Sequence, residues 1–156
     1  LARSGAKNVE ALAASDADTL ADMAGRFDRV VIDAPCTGSG TWRRRPDAKW
    51  RLKPRNLEQR QKEQQDVLAA AAPLVKPGGR LVYITCSLLP AENTAQIAAF
   101  LDANPGYSLV PYGDVWREVL PSTPPLSADG SADALLLTPA QHGTDGFFIA
   151  ILARHA

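Results

Sequence analysis

An α/β sheet with an antiparallel edge is the fold this sequence predicts, and three observations predict it. Short β-branched runs alternate with longer segments built from helix formers. Breaks containing proline and glycine, such as "KPGG" at 76–79, separate them. Two apolar runs then close the chain with only a short polar link between them, as in an antiparallel hairpin.

Taken in order, "NVEALAAS" (8–15) reads as a strand, and "RVVID" (29–33) as a short buried strand of the parallel type. From Asn56, "NLEQRQKEQQDVLAAAAPLV" carries apolar residues at 57, 67, 68, 71 and 75 among strong helix formers, which predicts a helix. "RLVYIT" (80–85) is the next strand, with Tyr83 on its core side by alternation. "PAENTAQIAAFLDANPG" reads as a helix that Pro90 can start and that ends before Pro105. Residues 105–134, rich in Pro, Gly and Ser, read mostly as loop. "ALLLTP" and "GFFIAILA", joined by "QHGTD", form the hairpin, with His142 at its solvent-facing tip.

With 156 residues and 46% hydrophobic content, the chain suits one domain with a real core. It contains no apolar run long enough to span a membrane, and a secretory leader is not expected. Two cysteines and two histidines give neither a disulfide framework nor a metal-ligand pattern, so a reducing cytoplasm is expected and a metal is not. "LARSG" at the start reads as the last turn of a helix closed by Gly5, which predicts a piece of a longer protein.

Zero net charge hides an asymmetry. Arg43, Arg44, Arg45, Lys49, Arg51, Lys53 and Arg55 crowd residues 43–55 against Asp47 alone, so the remainder of the chain is acidic. Such a segment suits either a polyanion-facing surface or a solvated loop. Trp42 and Trp50 flank the arginines, where they could stack on unpaired bases or anchor the loop. "TGSG" (37–40) lacks the Gly-Lys-Ser/Thr of a phosphate-binding loop and reads instead as a flexible loop beside a bound base.

In open α/β sheets, ligands gather at the carboxyl ends of the strands. Asp16, Asp33 with Cys36, and Cys86 each lie at or just past such an end, so neighbouring strands would bring them to one cleft. A single cysteine there is more often packing than chemistry. Two of them, beside Thr or Ser, suggest more. A thiolate can add to an electron-poor ring carbon, and C5 of a pyrimidine accepts a methyl group only after a nucleophile has added at C6. The C5 proton must then be removed by a second group, and an acid on the N3/N4 edge would stabilise the adduct.

"DAPCTGSGTWRRRPDAKW", "VKPGGRLVYITCSLLPAEN" and "DGFFIAIL" together resemble the Sun/Fmu-type bacterial ribosomal RNA cytosine-5 methyltransferases (the Nop/Sun RNA m5C family), over nearly the whole chain. The resemblance implies part of a Rossmann-like class I methyltransferase sheet using S-adenosyl-L-methionine, with RNA, above all 16S-type rRNA, as partner. It assigns the nucleophile to Cys86 and proton removal to Cys36, and it sets Asp33 between cofactor and base. It places Asp16, or else Asp18, at the adenosine end of the cofactor, and Arg43, Arg44 and Lys49 against RNA. The family's glycine-rich cofactor loop and N-terminal RNA-binding domain would lie upstream of Leu1. Residues 1–156 are therefore expected to be the C-terminal portion of the methyltransferase domain, inactive by itself. Two other readings stand beside this one: a DNA cytosine-5 methyltransferase, and a non-catalytic RNA-binding fragment.

Overall fold

The computed structural model describes Gly5, residues 7–10 and residues 17–156. Most of the expected strand at 8–15, and Asp16, lie outside the described residues; Asp18 falls in the first helix, α1 (Ala17–Asp22).

Strand β1 (Phe27–Asp33) leads through a loop to the one-turn helix α2 (Ala48–Arg51) and then to α3 (Pro54–Ala71). Pro54 sits in the first turn of α3, where its missing N–H costs nothing, and the Asn56 side chain accepts from Lys53 N at 3.0 Å. Strand β2 (Val75–Thr85) follows, then α4 (Thr94–Ala103), β3 (Tyr107–Val110), α5 (Tyr112–Val119), β4 (Leu135–Leu137), α6 (Pro139–His142) and β5 (Phe147–Arg154).

β1 and β2 pair in parallel, with Asp33 opposite Ile84. β5 runs antiparallel to β2, and along its other edge it pairs with both β3 and β4. The sheet order is therefore β1-β2-β5-β3, with the hairpin strand β4 continuing the β3 edge. Since β5 is antiparallel to both β2 and β3, those two strands point the same way.

Alternation on the central strand sets the core. Leu81, Tyr83 and Thr85 are fully buried on one face of β2, aligned with Val30 and Ile32 of β1 and with Leu152, Ala150 and Phe148 of β5. Leu68 of α3 and Ile97 and Phe100 of α4 cover that face. Tyr83 is thus a core residue, as its alternation suggests, and its ring meets Phe148 edge-on. β1 has the expected parallel pairing but is not buried on both faces. Ile32 faces the core, whereas Val31 points the other way and is exposed.

Residues 105–134 are more ordered than their composition suggests, since β3 and α5 lie there. The Tyr112 hydroxyl donates to Pro125 O at 2.8 Å and accepts from Ser127 N, and the Trp116 indole N–H donates to Ser122 O at 2.9 Å. These bonds pin the proline-rich stretch to α5. His142 likewise does not simply face solvent: its Nδ1 accepts from Thr138 N at 3.0 Å and its Nε2 lies 2.9 Å from Leu126 O.

The "TGSG" loop is packed rather than open. Ser39 and Gly40 are buried in a single 3-10 turn, Gly40 N donates to Cys86 O, and Gly146 N donates to Gly40 O. A Cβ on Gly40 would collide with Gly146 O, closer than any side chain allows. Gly40→Ala should therefore destabilise the fold by about 1–3 kcal/mol through overpacking. Gly106→Ala, where a Cβ meets nothing within 4 Å, should change stability by less than about 0.5 kcal/mol. Urea unfolding of both variants checks this, and equal effects would contradict it.

Candidate active site

Parallel pairing of β1 and β2 carries their carboxyl ends to one edge, where the chain leaves each strand into a loop bearing a cysteine. Ala34 N still donates to Ile84 O, so the strands remain paired to the point of departure. Cys36 Sγ then lies 3.4 Å from Cys86 Sγ, although 50 residues separate them in sequence. Both thiols are free and half-buried.

The contact is electrostatically lopsided. The S–H of Cys36 donating to the Cys86 sulfur is the main reason the Cys86 thiol is brought down from 9.0 to about 7, against opposing contributions from burial and from Asp33 and Glu92. Cys36 is pushed up, first by that same bond, then by burial and by the Cys86 charge. As pH rises through about 7 the first proton to leave is therefore that of Cys86, and the one that remains sits on Cys36.

A buried carboxylate holds the two loops in this register. Glu92 has no exposed surface. Its oxygens accept from Thr37 N at 2.8 Å and Thr37 Oγ1 at 2.5 Å on the Cys36 loop, and from Ser87 Oγ at 2.5 Å on the Cys86 loop. Gln64 of α3 adds a fourth donor at 3.1 Å, while also donating to Pro35 O at 2.8 Å. Ser39 Oγ, 3.0 Å from Ser87 Oγ, accepts from Leu88 N, and Asn93 closes the network by accepting from Thr85 Oγ1 and donating to Ser87 O. A buried carboxylate with four donors needs no water to satisfy it. Sequence reasoning misses Glu92 because "PAEN" reads as the solvated first turn of a helix. The signal available is an acid followed by Asn soon after a strand-end cysteine.

Asp33 is exposed at the carboxyl end of β1, near enough to Cys86 to oppose its ionisation. Arg44 Nε donates to Asp145 Oδ2 at 2.6 Å, Arg43 lies 3.6 Å from the other oxygen, and the two hold the Asp145 carboxyl below its ordinary value, Arg44 foremost. Arg44 also feels the charge of Cys86. Lys49 Nζ sits 4.6 Å over the ring of Trp50, which is 79% exposed, whereas Trp42 is half-buried. Trp50 is thus exposed with Lys49 over one face, and Trp42 is partly enclosed. A larger groove of about 710 Å³ between α3 and α4, around Leu68 and Phe100, opens at the opposite end of the strands from the thiols. Among the described residues, no group of three or more His, Cys, Asp or Glu could hold a metal ion, and no helix is long and apolar enough to cross a membrane.

An antiparallel strand inserted between parallel ones, with polar residues at the carboxyl edge, defines the class I methyltransferase form of the Rossmann-like fold. Solved structures share it. NSun6 from Pyrococcus horikoshii, solved with SFG, is 29% identical with a TM-score of 0.76, covering 99% of this chain and 37% of that one. A methyltransferase homolog from the same organism is 33% identical with a TM-score of 0.73, covering 99% and 47%. The probable ribosomal RNA small subunit methyltransferase B of Synechocystis sp. is 43% identical over 129 residues, which are 81% of this chain and 27% of that protein. The chain spans about a quarter of the length of the curated relatives it matches. The sequence model described as "16S rRNA methyltransferase RsmB/F" matches residues 1–153, and the chain belongs to that family.

The thiol pair makes a direct prediction. Because the Cys86 thiol is lowered, its thiolate fraction, and so its alkylation by iodoacetamide, should rise with pH through a midpoint near 7. In Cys36→Ala the donating S–H is gone and the midpoint should move up towards 9.0. Mass spectrometry of Cys86 labelling between pH 6 and 10 reads both midpoints, and coincident curves would contradict the assignment.

Proposed function

We propose that this chain is the later portion of the catalytic domain of an enzyme that methylates C5 of cytosine in RNA, 16S-type rRNA above all, through a covalent bond from Cys86 to C6. The observation carrying this reading is the 3.4 Å contact between the two thiols, which lowers Cys86 and raises Cys36. Family membership and the relatives' names support ribosomal RNA as the substrate class. Such a reaction belongs in the cytoplasm, which two unpaired cysteines also suit.

S-adenosylmethionine, when bound, supplies an electrophilic methyl group. The exposed Asp33 carboxylate, on the strand edge beside Cys86, suits a cationic ligand and would hold it; the neighbour solved with SFG, an analogue of that cofactor, supports the choice. The same carboxylate can accept from the N3/N4 edge of the cytosine. Asp16 would contribute at the adenosine end, with Asp18 the alternative.

The chain's own steps follow from the proton balance. The Cys86 thiolate bonds to C6, and the displaced C5=C6 π pair makes C5 nucleophilic. Bonding also removes the Cys86 negative charge, one of the causes that keep Cys36 protonated. Cys36 can then release its proton to solvent and, after C5 has been methylated, take the C5 proton. The C–H pair re-forms C5=C6, and the Cys86–C6 bond breaks with its electrons returning to sulfur. The thiolate of Cys86 and the thiol of Cys36 are restored, with one proton released per methyl group transferred.

Replacing each thiol in the gene product that contains this chain tests the order of events. Cys86→Ala should lower methylation of rRNA about a thousandfold or more and form no adduct. Cys36→Ala should form the adduct, fail to resolve it, and accumulate protein–RNA species that survive denaturing electrophoresis. Trapping by Cys86→Ala and not by Cys36→Ala would reverse the roles. Trapping by neither would remove the covalent mechanism.

A further inference from the structure

A cavity of about 380 Å³ opens on the Cys36 side of the thiol pair, between α2 with its preceding turn and the first half of α3. Cys36 and Thr37 form one wall, and Arg45, Asp47, Arg51 and Arg60 ring the rest. Three arginines and one aspartate therefore line it. The three arginines are not equivalent. Arg51 Nη2 is spoken for by Asp47 at 2.6 Å, and Arg60 Nη1 by Glu63 at 2.5 Å. Of the three consecutive arginines, Asp145 engages Arg43 and Arg44. The Arg45 side chain is exposed and has no ion pair or hydrogen bond among the described residues.

We propose that this cavity binds a backbone phosphate of the RNA strand beside the target cytosine, with the Arg45 guanidinium as its principal ligand. The inference rests on the RNA reading above and extends it to named residues. The ring atom next to C6 bears the ribose, so a pyrimidine bonded to Cys86 must lay its own sugar–phosphate backbone close to the thiol pair. No aromatic side chain lines this cavity, so nothing there would stack a neighbouring base. A planar guanidinium with unused N–H groups matches two phosphate oxygens at once. The RNA contact expected at Arg43, Arg44 and Lys49 thus gains a neighbour at Arg45, whose charge no carboxylate among the described residues engages.

Steady-state methylation of a 16S rRNA fragment by the gene product containing this chain, as a function of salt, tests the proposal. Arg45→Gln should raise KM about tenfold with little change in kcat, and reduce the log–log salt slope of RNA binding by about 1. Arg45→Lys should restore the slope but not the whole of KM, since an ammonium keeps the charge without the fork. Arg117→Gln, which removes an equal charge paired with Asp114 on α5, is the control and should match the parent. An active parent whose Arg45→Gln variant has the KM and slope of Arg117→Gln overturns this inference alone. A parent that does not methylate RNA overturns the functional reading, and this inference with it.

Discussion

Everything at the thiol pair depends on the Glu92 carboxylate, which is wholly out of contact with water and accepts from Thr37 on one loop, Ser87 on the other and Gln64 beneath them. A buried charge of this kind is tolerable only when its donors are all present, so any movement that separates the loops strips donors from it. Each such bond to an ionised acceptor is worth about 1.5–3 kcal/mol. The requirement to satisfy one carboxylate thus becomes a requirement on the distance between two cysteines. Tyr83 extends the restraint into the core, because its hydroxyl donates to the Glu92 carbonyl at 2.8 Å from the centre of β2.

Geometry and electrostatics reinforce each other at this edge. The parallel pairing of β1 with β2 brings the loops side by side, and the contact between Gly40 and Gly146 closes them against the hairpin. Held at 3.4 Å, two thiols cannot both ionise, and the proton settles on Cys36. The arrangement prepares one sulfur to attack and keeps the other protonated until the attack has used up the charge beside it. The chemistry follows from a packing constraint. It needs no group with a strongly unusual character of its own.

Much of the fold was legible in the sequence, for identifiable reasons. "RVVID" and "RLVYIT" form the parallel pair, because short β-branched runs of this kind fit a sheet and little else. The closing hairpin announces itself by two apolar runs around "QHGTD". The convergence of Asp33, Cys36 and Cys86 follows from strand ends alone. The rest was tertiary, or obscured by composition. Prolines and serines around "YGDVWREV" disguised α5, and β3 is a four-residue edge strand with little pattern to read. Arg44 and Asp145 are 101 residues apart, so no local rule pairs them. Glu92 was invisible as a linchpin because its donors come from three separate segments, and "TGSG" looked mobile because nothing local shows that Ser39 and Gly40 are buried.

The central claim is that the Glu92 network, and not the cysteines alone, sets the proton balance of the thiol pair. Thr37→Val tests it most directly, because it removes a hydroxyl that donates to Glu92 and leaves both cysteines and the Glu92 charge in place. The measurement is the Cys86 titration followed by NMR of protein carrying 13C-labelled cysteine. The account predicts that loosening the Cys36 loop weakens the S–H donation and moves the Cys86 midpoint up from about 7. A folded Thr37→Val protein whose Cys86 still titrates near 7 would contradict it.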